Sequence, residues 1–255
     1  MQTMMPAGAD KIWVEDSGGA GPALLLLHEG VGDARMWDPI WPAVTSAYRA
    51  IRYDVRGFGR SPAATENYTL LADALTVLDQ FGVGAAHVAG CSMGGGTAIE
   101  LALAKPDLVK SLLLLCPGIP GYPYPEADPA VEAQFEAAEA DGDVDGLIRL
   151  SLLQWGRTGD DPMVTDLMRS AIGAWDNQQR FMQEGEPVFE RLTELRVPVT
   201  LMVGDIDNPG LIASNEAAAA RIPGCELISM PGVDHYPTVR APELVTATIL
   251  RHCTG

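Results

Sequence analysis

The sequence predicts an α/β fold in which a mostly parallel central sheet is flanked by helices and carries an inserted helical lid. Three observations predict it. Short apolar runs bounded by Gly and Pro alternate with helical stretches. A G-x-S-x-G segment joins one such run to a helix. Residues 118–190, in the middle of the chain, contain no run that resembles a sheet strand.

Short apolar runs mark the strands of the predicted sheet. The run 23–27 is continuously apolar and lies between Gly/Pro turns, which is typical of a strand buried on both faces of a parallel sheet. The other predicted strands are 11–16, 48–54, 85–90, 111–116, 197–203 and 226–230. Helices are predicted at 36–44 (short and interrupted by prolines), 70–81, 97–105, 215–222 and 242–251. This alternation of strand and helix predicts parallel strand pairing.

The middle of the chain follows a different pattern. Its stretches 130–140, 144–155 and 162–174 are helix-like and acidic. A segment of this length between two core strands is too long for a simple loop. We therefore predict two parts, an α/β core formed by residues 1–117 and 191–255 and a helical lid formed by residues 118–190.

Composition excludes several classes of protein. The chain has 255 residues, with 34 acidic against 17 basic side chains and a net charge of −17. Such a charge repels phosphate backbones and anionic membranes, so we expect neither nucleic acid nor a membrane surface as a partner. No apolar run approaches the roughly 18 residues that a membrane-spanning helix requires. The expected partner is a small molecule, and the chain is expected to act as a monomer or a homodimer.

The cysteines and the amino-terminal sequence bear on cellular location and on metals. The first residues lack the basic and apolar regions of a signal peptide. The chain has four cysteines, Cys91, Cys116, Cys225 and Cys253. Their spacing does not match that of a metal-binding motif. Free thiols in a reducing compartment are expected. We therefore expect a cytoplasmic protein that needs neither a metal nor a cofactor.

The segment from Gly90 to Gly94 predicts a nucleophilic serine. It places Ser92 at a sharp turn between a strand and a helix, where glycines allow the two backbones to approach. We expect a strained backbone at the turn residue. The helix N-terminus beneath the serine favours a developing negative charge. On its own this motif is also compatible with a glycine-rich loop that only starts a helix.

A serine hydroxyl needs a neighbouring base to become a nucleophile. The histidines of the chain are His28, His87, His235 and His252. His87 lies inside a predicted strand, His252 lies near the end of the chain, and His28 ends an early strand. His235 follows the predicted strand 226–230, at the sheet edge where sites are built. Position therefore favours His235 as the base.

The base in turn needs a carboxylate that fixes its tautomer and stabilises its cation. Asp205 and Asp207 both follow the strand 197–203, and Asp234 precedes His235 directly. Asp207 is preferred on position, with Asp205 as the alternative. Each of these carboxylates is also compatible with a solvated turn.

Taken together and in order, the motifs resemble those of the α/β-hydrolase fold family over nearly the whole chain. They are L-L-H-E-G ending at Gly30, D-V-R-G-F-G-R-S from Asp54, G-C-S-M-G-G from Gly90, G-D-I-D from Gly204 and G-V-D-H from Gly232. The resemblance implies Ser92 as nucleophile, Asp207 as acid and His235 as base.

The resemblance also implies an oxyanion hole. Its donors would be the backbone N–H of Met93 and an N–H in the loop after His28, at Gly30 by position. The usual His-Gly pair of the family is here replaced by His28-Glu29-Gly30. Glu29 is therefore an alternative contributor to the hole, although we expect its side chain to point away from it.

Within this family the chain resembles serine esterases and enol-lactone hydrolases. The implied activity is cleavage of a small carboxylic ester or lactone through an acyl-enzyme on Ser92. A serine nucleophile argues against dehalogenase or epoxide hydrolase chemistry. Carbon–carbon bond hydrolysis, a lyase step and cofactor-free perhydrolysis are alternatives with the same residues. A non-catalytic ligand-binding receptor is a further alternative.

Apolar side chains of the predicted lid are candidates for the substrate wall. The residues singled out are Trp155, Met163 and Trp175, together with Met168, Phe181 and Met182. For any one of them, packing of the lid against the core is the favoured explanation, because apolar helix faces usually belong to the core. Arg157 is a candidate clamp for a substrate carboxylate, against the alternative of a solvated arginine.

Overall fold

A mixed sheet runs through the computed structural model, which describes residues 1–253. Its strands are β1 (Gln2–Ala7), β2 (Asp10–Asp16), β3 (Ala23–Leu27), β4 (Arg49–Tyr53), β5 (Ala86–Cys91), β6 (Val109–Leu115), β7 (Val199–Gly204) and β8 (Glu226–Met230). They lie in the order β1-β2-β4-β3-β5-β6-β7-β8. The last two residues of the predicted core segment 191–255 lie outside the described residues.

Parallel pairing joins all strands from β4 across to β8, as the alternating pattern predicts. Strand β3 shows why its leucines form a strand rather than a helix. Leu25 and Leu27 pack into one apolar layer, whereas Leu24 and Leu26 pack into the layer on the opposite face. Successive side chains of a strand point to opposite faces, so a continuous apolar run satisfies both layers.

The strand β1 was not predicted. It pairs antiparallel with β2, from Gln2 opposite Glu15 to Ala7 opposite Asp10. β1 lies at the edge of the sheet, where the proline Pro6 is tolerated because one side of the strand needs no hydrogen-bond donors. A strand containing proline and two methionines gives little sequence signal, which explains the omission.

Helices cover both faces of the sheet. The helices are α1 (Trp41–Thr45), α2 (Leu70–Gln80), α3 (Met93–Ala104), α4 (Pro129–Asp141), α5 (Val144–Trp155), α6 (Pro162–Phe181), α7 (Pro209–Arg221), α8 (Pro237–Arg240) and α9 (Pro242–His252). Side chains of α2, α3 and α7 join the apolar layer that contains Leu25. Side chains of α1 and α9 join the layer that contains Leu24. No helix within residues 1–253 is both long enough and apolar enough to cross a membrane.

Three helices, α4 to α6, occupy the chain between β6 and β7, where the sequence predicts helical stretches. Each begins at an aspartate whose carboxylate accepts a backbone N–H of the first turn, namely Asp128, Asp143 and Asp161. Helix α6 ends at Phe181 rather than at the predicted residue 174. No glycine or proline interrupts residues 175–181, so nothing in that stretch ends the helix.

The carboxyl ends of the parallel strands meet along one edge of the sheet. Ser92 follows β5, Asp207 follows β7 and His235 follows β8. Residues far apart in sequence therefore lie at the same edge, which is where open parallel sheets place their sites.

Candidate active site

Ser92 forms the turn between β5 and α3. Its backbone has φ 49° and ψ −113°, a conformation that L-residues rarely adopt and that a serine adopts only under strain. A Cβ at Gly90 would lie 2.3 Å from the carbonyl oxygen of Gly94, and one at Gly94 would lie 2.3 Å from that of Leu27. The two glycines are therefore required by close backbone approach, and the turn presents Ser92 above the start of α3.

A buried hydrogen bond joins the residues that follow β7 and β8. The Nδ1 atom of His235 lies 2.8 Å from Oδ2 of Asp207, and both residues are about 1% exposed. Asp207 is therefore the one of the three candidate acids whose carboxylate bonds to the His235 ring. Asp205 accepts instead the backbone N–H of Gly232 at 2.7 Å. Asp234 forms an ion pair with Arg240 at 3.2 Å.

Two further side chains pack against this pair. The indole ring of Trp155 lies 4.7 Å from the imidazole ring of His235, and the Trp155 carbonyl accepts the His235 backbone N–H at 3.2 Å. The Cys116 thiol follows β6, and its sulfur lies within 4.8 Å of ligand atoms of both Asp207 and His235. Burial, followed by the charge of Asp207, holds the pKa of this thiol well above its usual value. It is therefore a neutral neighbour of the carboxylate.

The loop after β3 is fixed by hydrogen bonds on several sides. Nε2 of His28 accepts the backbone N–H of Val55 at 2.9 Å, so the proton lies on Nδ1, which donates to the carbonyl of Glu29 at 2.7 Å. The His28 carbonyl accepts the N–H of Gly94 at 3.1 Å. The Gly30 carbonyl accepts Nε1–H of Trp175 at 2.9 Å. The loop is thereby attached to both α3 and α6.

Gly30 and Met93 face one another across the start of α3. A Cβ at Gly30 would lie 3.7 Å from the sulfur of Met93. Met93 is the first residue of α3, so its N–H has no partner within the helix. The N–H of Gly30 donates to no backbone carbonyl within residues 1–253. Within residues 1–253, neither of these two N–H groups is engaged by a backbone carbonyl.

The Glu29 side chain is fully buried, and neither carboxyl oxygen has a hydrogen-bond partner within residues 1–253. A Cβ at Gly32 would lie 2.2 Å from its Oε1 atom. Burial raises the pKa of this carboxyl well above its usual value, and the charge of Asp33 adds to the effect. The protein interior thus disfavours the charged form of Glu29. Its side chain is packed in the interior beside Gly32 and is not among the residues that line the cavity beside Ser92.

A cavity of about 810 Å³ opens beside Ser92, and we call it the Ser92 cavity. One wall is the face of α3 that carries Met93, Gly96 and Glu100. The other walls are the segment 118–121 after β6, the segment 182–187 after α6, and parts of the segments that contain Trp155 and Leu211. The volume is in the range of small-molecule sites.

Some of the residues predicted to line the substrate site lie at the Ser92 cavity, and others lie elsewhere. Trp155 lines the Ser92 cavity, and so does Met182. Trp175 supports the loop at Gly30 rather than the cavity wall. Met163 lies in a separate depression beside Arg35. Arg157 donates to the backbone carbonyl of Asp207 at 3.3 Å and lines a third depression outside the cavity.

The placements of Met163 and Arg157 correct two expectations. Met163 lies in the first turn of α6, where its N–H donates to the cap residue Asp161, and it lines the depression beside Arg35 instead of the cavity. Arg157 lies on the outer side of the turn that carries Asp207, so it cannot clamp a carboxylate in the cavity. Sequence reasoning missed Glu100, although its signal was present. It is the one charged residue of α3. It follows Ser92 by eight residues, which is two steps of i to i+4 along one side of the helix.

The chain is similar to known proteins over most of its length. The model of the "Alpha/beta hydrolase family" matches residues 24–248. Carboxylesterase YbfK of Bacillus subtilis is 27% identical over 248 residues, which cover 92% of this chain and 81% of that protein. The 3-oxoadipate enol-lactonase 1 of Acinetobacter baylyi is 27% identical over 233 residues, covering 87% and 85% of the two chains.

A solved structure extends the comparison to the fold. The crystal structure of the enol-lactonase from Burkholderia xenovorans superposes with a TM-score of 0.82 at 21% identity, covering 99% of this chain and 100% of that chain. The predicted fold class is therefore confirmed. Because the family model spans nearly the entire chain and the sheet has the same architecture, the protein belongs to the alpha/beta hydrolase family and is an enzyme of that family.

Proposed function

We propose that the protein is a serine hydrolase that cleaves a small carboxylic ester or lactone through an acyl-enzyme on Ser92. The observation that carries this proposal is the 2.8 Å bond between His235 and Asp207, buried at the sheet edge where Ser92 leaves its strained turn. A base oriented by a carboxylate is what a serine hydroxyl needs to become a nucleophile. The names of the two relatives, an esterase and an enol-lactonase, support the ester or lactone class.

In the first half of the reaction, Oγ of Ser92 attacks the carbonyl carbon and its proton moves to Nε2 of His235. The bond from Nδ1 to Asp207 holds the ring in this orientation and stabilises the imidazolium. The oxyanion accepts the N–H groups of Met93 and Gly30, aided by the positive end of α3. When the tetrahedral intermediate collapses, the carbon–oxygen bond to the leaving group breaks and His235 protonates that oxygen.

In the second half, water attacks the acyl carbon while His235 takes its proton. The bond to Ser92 breaks, His235 returns the proton to Oγ, and the carboxylic acid leaves. Each donor of an oxyanion hole typically contributes a factor of about 10²–10³ to the rate. The hydrogen bonds at His28, Gly30 and Gly94 keep the loop in place for this role.

The test is initial-rate measurement on short and long acyl esters, lactones and amides, with Ser92→Ala beside the wild type. We expect turnover of an ester or lactone that Ser92→Ala lowers by about 10⁴ or more, because the triad acts as a unit. Ser46→Ala, at an exposed serine whose hydroxyl bonds only to Ala43, is the matched control. Wild-type rates in a folded Ser92→Ala protein would refute the proposal.

A further inference from the structure

The Ser92 cavity has an unbalanced charge. Among the described residues that line it, Glu100 and Glu184 carry charge, and none is Lys, Arg or His. The arginine that the sequence suggested as a carboxylate clamp, Arg157, lies outside the cavity. A substrate carboxylate entering the cavity would therefore lose hydration without gaining a cation, and it would do so beside two groups of its own sign.

Glu100 lies at a defined distance from the reacting serine. It follows Ser92 by eight residues along α3, which at 1.5 Å per residue places it roughly 12 Å away on the same helix face. Gly96, one turn after Ser92, also lines the cavity, and a Cβ there would lie 2.9 Å from the carbonyl oxygen of Gly118, so the segment 118–121 packs closely against this turn of α3. Ser92 and Glu100 thus line the same cavity from two places along α3.

The Glu100 carboxyl has few partners of its own. It accepts the backbone N–H of Glu186 at a long 3.3 Å, and it forms no ion pair within residues 1–253. A Cβ at Gly185 would lie 2.5 Å from its Oε2 atom, so the segment 182–187 holds the carboxyl in place. Burial raises its pKa, and the charge of Glu186 adds to this. A cation or hydrogen-bond donor from the substrate would offset both the burial of the Glu100 carboxylate and its repulsion by Glu186.

We propose that Glu100 is a specificity-determining residue that selects esters or lactones with a cationic group at the end remote from the carbonyl and rejects those with a carboxylate there. This inference rests on the proposed function, since it places the carbonyl of the substrate at Ser92. The reacting groups do not distinguish these substrates, because the distinction is made about 12 Å away along α3. The preference is a property of the cavity wall and not of the chemistry.

The test uses p-nitrophenyl esters with acyl chains of about eight carbons that end in a trimethylammonium, a methyl or a carboxylate group. At about pH 8 we expect kcat/KM to fall in that order, with the cationic ester at least tenfold above the anionic one. Glu100→Gln, which keeps the shape of the side chain, is expected to reduce this ratio to within about threefold by weakening the cationic ester. Glu132→Gln removes an equal charge from the exposed surface of α4 and is expected to leave the ratio unchanged.

The outcomes separate this inference from the proposed function. Serine-dependent turnover of the neutral ester together with equal or higher kcat/KM for the anionic ester would refute the inference alone. If no ester is turned over, binding decides the inference. Calorimetry on Ser92→Ala should show octyltrimethylammonium binding more tightly than nonanoate, with the difference lost in the double variant that adds Glu100→Gln. Tighter binding of nonanoate would refute it.

Discussion

The reacting groups and the cavity wall are built in different ways. Ser92, Asp207 and His235, the proposed reacting groups, follow the carboxyl ends of the parallel strands β5, β7 and β8 by one, three and five residues, so short segments of backbone determine their positions. The wall of the Ser92 cavity is assembled from α3 and from the segments 118–121 and 182–187, which meet only through tertiary packing. We infer that the sheet edge determines the proposed chemistry, whereas long-range packing determines which molecule reaches it.

The largest expected effect lies at the sheet edge and tests which carboxylate orients the base. Asp207→Asn removes the charge that stabilises the His235 imidazolium and permits the wrong tautomer, so we expect kcat to fall by about 10³–10⁴. The matched variant is Asp205→Asn, since Asp205 bonds only to the N–H of Gly232. It is expected to retain kcat within about threefold. Steady-state kinetics on the best ester measure both, and equal losses would contradict this account.

A smaller effect is expected where the two regions meet. Trp175 belongs to α6, yet its Nε1–H bonds to the Gly30 carbonyl in the loop that carries an oxyanion donor. Trp175→Phe keeps a ring but removes this bond, so we expect kcat to fall by about tenfold with little change in KM. Trp155→Phe alters the cavity wall and is expected to change KM more than kcat. A change confined to KM in Trp175→Phe would show that Trp175 only binds substrate.

The smallest expected effect concerns stability at Glu29. Burial raises the pKa of this carboxyl above its ordinary value of about 4.5, so the folded state keeps a proton that the unfolded state releases. Unfolding therefore becomes easier as the pH rises from the ordinary value through the raised one. Glu29→Gln mimics the protonated acid without this dependence. The free energy of unfolding of Glu29→Gln, relative to that of the wild type, is expected to be smallest near pH 4.5 and to increase with pH.

Denaturant titrations from about pH 5 to about pH 9 measure this difference. Glu139→Gln, on the exposed surface of α4, controls for the loss of one negative charge from a strongly acidic protein. A gain in Glu29→Gln that is constant across this range would mean that Glu29 is not held as a neutral acid.

The sequence predicts the positions of the proposed reacting groups better than the lining of the cavity, because local patterns mark strand ends and turns. Ser92 and His235 could be singled out from a motif and from position. The sequence favours Asp207 but leaves Asp205 as an alternative, since both follow β7, and in the structure it is Asp207 that contacts His235. The sharp turn, the alternation of Leu24 to Leu27 across β3 and the helices between β6 and β7 follow from local composition.

The lining of the cavity and the burial of Glu29 depend on contacts between distant segments. Whether Met163 or Trp155 faces the cavity is determined by how α5 and α6 pack on the core, which apolar character alone does not encode. The burial of Glu29 without a partner contradicts the usual preference of carboxylates for water, so no pattern rule predicts it. Glu100 was visible as a lone charge in a helix of small residues, but its role required the position of the segment 182–187.

The most direct test of the central claim is covalent labelling by a fluorophosphonate, which reacts with a serine activated by a base. This account predicts a single adduct on intact mass spectrometry, mapped to the peptide that contains Ser92. It also predicts that labelling is absent in Ser92→Ala, strongly slowed in Asp207→Asn and unchanged in Asp205→Asn. A folded wild-type protein that remains unlabelled, or an adduct on a different residue, would contradict it.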